Sequence, residues 1–336
     1  MAKKKASAAE LGLVSDFAAI KQAYDANSIL YLDIETTGLK PDYAVMTSVT
    51  VFDGSDTRVF VRDENLDELV PFLLSKPELF ICTFNGAKFD IPFIEAETGQ
   101  KIPHQHVDLL VLGKESLGLA GGFKAQLKHF GVAGLDSENT GLDSIWLWNE
   151  YQQSQDRKFR DALVAYNTSD AMALHSLLAI YYNTWAERQG LGEALDVPIH
   201  MQVESLDLLQ EVAKRRKAFV AKLESDCPYI VFTDPQRRER AALIKDDDIH
   251  DFQSSDTAIS ASITGSQGDT WELLVAREGD TTRVRCSCPD FAKNEGKGTA
   301  EQRFCKHVIK LLEHAGYDIV KEMFPENANV KFVFSL

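Results

Sequence analysis

Asp33 and Glu35 stand two residues apart in "ILYLDIETTGL" (29–39), a run that is otherwise apolar as far as Ile34. An ionised carboxylate is costly to take out of water unless a positive charge meets it. On a strand, residues i and i+2 share a face and lie roughly 6.6 Å apart. That span suits a pair of divalent cations held about 4 Å apart. Leu32, Ile34 and Thr36 take the opposite face. Two more acids keep similar company. Asp90 closes "TFNGAKFD" (83–90) and opens the helix pattern "DIPFIEAE"; helix capping is the competing role there. Asp170 lies in "AYNTSDAMALHSLL" (165–178), four residues after Tyr166, so that on a helix the two share a face. The alternatives are a strand that emerges into solvent at Asp33 and a solvent-facing helical turn at Asp170.

A second constellation is soft rather than hard. Cys286, Cys288, Cys305 and His307 form C-x-C-x16-C-x-H. Thiolates and imidazole suit tetrahedral zinc, and four such ligands make a closed structural site. Three unligated buried cysteines beside a helix histidine are the alternative, but paired ligands at both ends of one loop favour the metal. His314, two turns beyond His307, reads as a surface residue. With Cys82 and Cys227 the cysteines number five, an odd count that argues against a disulfide framework.

The elements that must position these groups can be read from periodicity. Residues 28–34, 44–52 and 57–62 read as strands, the last two joined by the turn "DGSD" into a meander. Residues 64–75 carry a helical stripe, 79–85 a buried strand, and a helix runs from Asp90 towards Gly99. Residues 106–116 mix strand and helix signals, 123–130 form a short helix and 158–185 a long one. A charged helical stretch, 200–226, ends at "DCPY" and links to a C-terminal part with three strand-like runs (258–265, 271–278, 283–288) and the helix 305–316. The expected organisation is an N-terminal tail and helix (1–27), an α/β domain (28–186), a charged linker (187–255) and a zinc-binding domain (256–336). "EGKGT" (295–299) is not a phosphate loop, because Phe291 stands where the upstream glycine is required.

The 336-residue chain is 44% hydrophobic and 26% charged, a globular composition, with no apolar run of transmembrane length. Its N-terminus lacks the apolar core of a secretory signal, so the expected location is cytoplasmic. A net charge of −15 disfavours coating of duplex nucleic acid by bulk electrostatics, but not a local groove. "KRRK" (214–217) and "RRER" (237–240) are basic, whereas "DDDIHDFQSSD" (246–256) is acidic and reads as solvated surface. Residues 280–310 carry seven Lys or Arg against four acids.

Taken in order, "DIETTG", "NGAKFD" and "YNTSD" resemble the three exonuclease motifs of the DEDD superfamily, which has a ribonuclease H-like fold. The tyrosine at 166 resembles the DEDDy branch. "HVDLL", "FKAQLKHFG" and "LWNEY" extend the likeness to the bacterial YprB-like subfamily. "CSCPDF" and "FCKHVIKLL" resemble a SWIM zinc finger, a ββα-type module associated with DNA or protein binding. The resemblance implies a mixed sheet flanked by helices, with Asp33, Glu35, Asp90 and Asp170 holding two Mg²⁺ or Mn²⁺ ions. It implies that Tyr166 orients or deprotonates the attacking water, that Thr36, Asn85 and Phe89 line the substrate groove, and that one structural Zn²⁺ sits on Cys286, Cys288, Cys305 and His307. Asp108 is a reserve acid near the site. The implied activity is 3′–5′ exonucleolytic hydrolysis of single-stranded nucleic acid, DNA ahead of RNA, with a helicase or repair protein as the class of partner considered. A structure-selective endonuclease or ribonuclease on the same fold, and an adaptor without turnover, are the alternatives.

Overall fold

The computed structural model describes residues 7–42, 44–132, 141–198, 208, 210–212, 214–215, 218, 235–265, 268–279, 281–292, 304–316, 319–320, 323–324 and 329–333. The chain divides into two compact units, Met1–Gln210 and Glu211–Leu336. Most of the charged stretch 200–226, Cys227 and the segment 295–299 lie outside the described residues.

The first unit is built on a five-stranded mixed sheet of order β3-β2-β1-β4-β5. Its strands are β1 Ile29–Thr36, β2 Met46–Phe52, β3 Thr57–Val61, β4 Phe80–Thr83 and β5 Gln105–Asp108. β1 pairs antiparallel with β2 and parallel with β4, so the central strand is buried on both faces. Alternation along β1 sorts its side chains between two cores. Leu30, Leu32 and Ile34 join Val49, Val51 and Ile81 in the core shared with α2 (Leu69–Leu74) and α3 (Asp90–Thr98). Ile29 and Tyr31 point the other way, into the core of α1 (Phe17–Asp25), α4 (Leu109–Leu117), α5 (Phe123–His129) and α7 (Arg157–Arg188). Asp33 and Glu35 continue that second face towards the helices. The pairing of β1 with β2 shifts register just after Glu35, where regular pairing gives way to the turn beyond.

Several expected elements differ in detail. The helix expected over 64–75 is a 3₁₀ turn, Leu66–Glu68, followed by the short α2, with Pro71 inside its first turn where a missing N–H costs nothing. The ambiguous 106–116 segment is strand β5 running directly into α4. Asp108 makes that switch by accepting from the amides of Leu110 (3.0 Å) and Val111 (3.4 Å). Helix α6 (Gly141–Ser154) has no counterpart among the expected elements, and α7 runs for 32 residues behind the capping carboxylate of Asp156.

In the second unit, β6 (Ile249–Ser254), β7 (Ala258–Thr264), β8 (Thr270–Glu278) and β9 (Thr281–Cys286) form an antiparallel meander, and β10 (Asn329–Val333) adds parallel to β9. The expected three strands are thus part of a five-stranded sheet. Alternate residues Ile259, Ala261, Ile263, Leu273, Val275 and Val284 cover α9 (Pro289–Ala292) and α10 (Lys306–Ala315). Basic "RRER" falls on α8 (Pro235–Ala241). The acidic run lies largely exposed at the surface, as its composition implies, with Ile249 and Phe252 half-buried. Asp246 pairs with Lys310 (2.9 Å) and His314 (3.2 Å), and Phe252 packs on the core edge-on to His314.

Candidate active site and metal centres

Three elements bring the first set of acids together. β1 contributes Asp33 and Glu35, and α7, crossing that face of the sheet, contributes Asp170. One carboxylate oxygen from each lies within 4.8 Å of the others. Asp90 is the first helical residue of α3 rather than its cap, that position falling to Phe89. It is buried and stands outside the tight trio, yet close enough for its charge to act on both Asp33 and Glu35.

Burial, and after it the neighbouring charges, raises the proton affinity of Asp33, Glu35 and Asp90. Asp33 keeps part of its surface open, but desolvation pushes its pKa well above the carboxylate range, and Asp170, Glu35 and Asp90 push it further. Glu35 rises to about 8, mainly through burial, against the pull of a hydrogen bond from Ser144. Asp90 rises to about 7, again mainly through burial. Oxygen-only donors in such a cluster suit a hard divalent cation, whose charge would return each acid to its ionised form.

Tyr166 lies one helical turn before Asp170 and is buried. Desolvation, then the charges of Asp170, Glu35, Asp33 and Asp143, hold its hydroxyl well above the usual phenol range. It is therefore a phenol at neutral pH, able to donate a hydrogen bond and poorly suited to take a proton fully.

The structure also gathers residues that motif reading passed over. The Lys124 ammonium pairs with Asp170 and lies 4.8 Å from the centroid of the Tyr166 ring. Ser144, in the first turn of α6, bonds Glu35, and beside it Asp143 is fully buried. Asn167 bonds Asp33, Ser48 and Thr50 together. A signal for the hydroxyls existed in "MTSVTVF", where Ser48 and Thr50 alternate with the core residues Val49 and Val51, so one face of a buried strand is polar and needs a polar partner.

The remaining named residues are not among the clustered acid ligands. Asn85 adopts a left-handed φ of 66°, and the Asp108 carboxylate accepts from its amide (2.9 Å) and that of Ala87 (3.1 Å). Asp108 thus pins the 85–87 turn and caps α4 instead of joining the acid cluster. Gly86 is required there, because a Cβ would fall 2.2 Å from the Thr83 hydroxyl. Phe89 is half-buried against Phe93, and the Thr36 hydroxyl donates to the carbonyl of Gly38 (2.7 Å).

In the second unit Cys286, at the end of β9, Cys288, Cys305 and His307, on the first turn of α10, place one ligand atom each within 4.8 Å of the others, all four residues buried. Among the thiols, hydrogen bonding with Cys286 and Cys305 holds Cys288 far down, while Cys286 is raised by its bond with Cys288 and Cys305 by burial. Burial lowers His307, keeping a neutral imidazole, the form that ligates metal. Its Nδ1 lies 4.0 Å from the Cys286 sulfur, and its Nε2 is buried without a hydrogen-bond partner among the described residues. A tetrahedral zinc ion fits this donor set. His314 stands outside the group.

Two family models match along the chain. Residues 30–182 match the RNase_H superfamily, and residues 274–316 match the SWIM zinc finger. Among solved structures, one described as the "apo form of the nuclease" is 19% identical over 58% of this chain and 86% of its own, with a TM-score of 0.35. The family B DNA polymerase of the hyperthermophilic archaeon Pyrobaculum calidifontis is 15% identical over 48% of this chain and 29% of its own, with a TM-score of 0.31. No curated protein sequence matches the chain. No helix among the described residues is long and apolar enough to cross a membrane. The chain therefore carries an α/β region that matches the ribonuclease H superfamily and holds an acidic cluster fit for a metal ion, and a second region that matches the SWIM zinc finger around a Cys/His cluster.

Proposed function

We propose that the protein is a metal-dependent 3′–5′ exonuclease of DEDDy type acting on single-stranded nucleic acid, DNA ahead of RNA. The observation that carries this reading is the convergence of Asp33, Glu35 and Asp170, with ligand atoms within 4.8 Å, near the buried Tyr166. The polarity and the single-strand preference rest on the likeness to YprB-like DEDDy enzymes. Asp33, Glu35, Asp90 and Asp170 are the residues to hold two Mg²⁺ or Mn²⁺ ions, which when bound neutralise charge on the phosphodiester oxygens and acidify a water. Tyr166 donates to the attacking water and aligns it with the phosphorus. Lys124, paired with Asp170, lies beside the place the scissile phosphate must occupy. Thr36, Asn85 and Phe89 border the groove for the strand.

The zinc module, on Cys286, Cys288, Cys305 and His307, engages substrate or a protein partner, of which a helicase or repair protein is the class we favour, in the cytoplasm. In this reading residues 28–186 are the exonuclease domain, after an N-terminal segment 1–27. Residues 187–255 link it to a zinc-finger domain at 256–336.

The test is hydrolysis with Mn²⁺ of single-stranded DNA and RNA, each with a free or a blocked 3′ end. Stepwise shortening from free 3′ ends, suppressed by the block, is expected. Discrete internal cuts on blocked strands would make the protein an endonuclease. Absence of hydrolysis in every arm, with either cation, would leave a binding adaptor.

A further inference from the structure

Asn167 is fully buried between α7 and the sheet, and its amide makes four hydrogen bonds, the most an amide side chain can form. Nδ2 donates to Asp33 Oδ2 (2.7 Å) and to the Asp33 carbonyl (3.2 Å). Oδ1 accepts from the hydroxyls of Ser48 (2.9 Å) and Thr50 (2.8 Å). The orientation of the amide is forced by chemistry. The Asp33 backbone carbonyl can only accept, so the NH₂ must face Asp33, and Oδ1 is left for the two hydroxyls. Register makes this a single unit. Thr50 lies directly opposite Asp33 and Ser48 directly opposite Glu35 across the β1–β2 pair, on the sheet face that α7 covers.

We infer that Asn167, held by Ser48 and Thr50, is a positioning residue that fixes the rotation of the Asp33 carboxylate and so pre-forms the divalent-cation site. This deepens the metal-site reading above and rests on it. Asp33 is the acid that most needs such a device. It is partly exposed, pushed on by Glu35, Asp90 and Asp170, and free to swing towards solvent unless held. A carboxylate oxygen has two lone pairs, so Oδ2 can accept from Asn167 and still face a cation. Ligands oriented by outer hydrogen bonds bind metal about 10–100-fold better than free ones.

The experiment is direct titration of Mn²⁺, read by electron paramagnetic resonance of the free ion, with no substrate present. Asn167→Ala is expected to weaken binding about tenfold. Ser48→Ala/Thr50→Val, which leaves the amide but removes what steadies it, is expected to weaken binding several-fold. Leu178→Ala, two turns beyond the site on the same helix, should lower the melting temperature and leave Mn²⁺ affinity as it is. Unchanged affinity in Asn167→Ala overturns the inference, as does an equal loss in Leu178→Ala. Where Asn167→Ala does not fold, unchanged affinity in the Ser48→Ala/Thr50→Val protein overturns it. A distinct failure concerns the reading beneath: a wild-type protein that binds no Mn²⁺, or an Asp33→Ala variant that binds it as tightly, removes the metal site itself.

Discussion

The two clusters differ in how they are assembled and in how they tolerate burial. The Cys/His cluster is drawn from residues 286–307, between the end of β9 and the first turn of α10. The carboxylate cluster reaches from Asp33 to Asp170 and depends on β1 and α7, with Lys124 and Ser144 supplied by α5 and α6. Within the Cys/His cluster, hydrogen bonding with Cys286 and Cys305 pushes Cys288 down, while Cys286 and Cys305 are pushed up. Among the carboxylates burial acts first, and Asp33, Glu35 and Asp90 are all pushed up. The physical consequence is a division of labour. Soft ligands from one local motif can hold zinc tightly as part of folding. Oxygen ligands hold hard cations loosely and leave room for substrate oxygens.

The sharpest way to break this comparison is to remove single acids. Asp33→Ala, Glu35→Ala, Asp90→Ala and Asp170→Ala are each expected to abolish hydrolysis while the circular dichroism spectrum stays that of a folded protein. Normal turnover by any one of them at limiting Mg²⁺ would detach that residue from the site.

Cys305→Ser should produce the opposite pattern. Zinc binding is worth on the order of 10 kcal/mol in small zinc domains, so the second unit is expected to lose its fold and its zinc. The first unit should keep its melting transition and still cut a short strand. Elemental analysis, with activity on short and long strands, reads both. Mild EDTA followed by Mg²⁺ should switch the wild-type activity off and on with zinc retained. Zinc absent from the purified protein, or lost together with the Mg²⁺-restorable activity, would erase the distinction between the sites.

Smaller effects sharpen the picture of the carboxylate site. Tyr166→Phe removes one hydroxyl from a buried ring, so stability should hold while the rate falls roughly 10²-fold with substrate affinity little changed. Unchanged single-turnover rates would reduce Tyr166 to a packing residue.

The smallest expected effect is a pH dependence without divalent cation. Glu35 at about 8 and Asp90 at about 7 hold protons in the folded chain that the unfolded chain releases near pH 4. Between those limits the folded state binds more protons, so stability falls as pH rises and levels off above about 8. The metal-free melting temperature of the first unit should therefore drop by a few degrees from pH 5.5 to 8, and added Mn²⁺ should restore more at pH 8 than at pH 6. A melting temperature that climbs over this window would show that these acids ionise in the folded chain unaided.

By itself, the sequence determined the features that a short window can encode. Spacing of two along a strand put Asp33 and Glu35 on one face, spacing of four on a helix aligned Tyr166 with Asp170, and the C-x-C and C-x-H pairs sit at the ends of one loop. It could not reveal which side chains meet those groups from afar. Ser48 and Thr50 reach Asn167 across 119 and 117 residues, and Asn167 reaches Asp33 across 134. Lys124 and Ser144 belong to elements whose place over the sheet depends on packing, and although "FKAQLKHFG" carries part of the family likeness, no local pattern ties either residue to the acids. Asp108 shows the reverse: an acid near the motifs in sequence that tertiary structure turns into a turn anchor and helix cap. Periodicity is a local property of the backbone, whereas hydrogen-bond partners and electrostatic neighbours are fixed only when the β1–β2 register and the path of α7 over that sheet face are both in place.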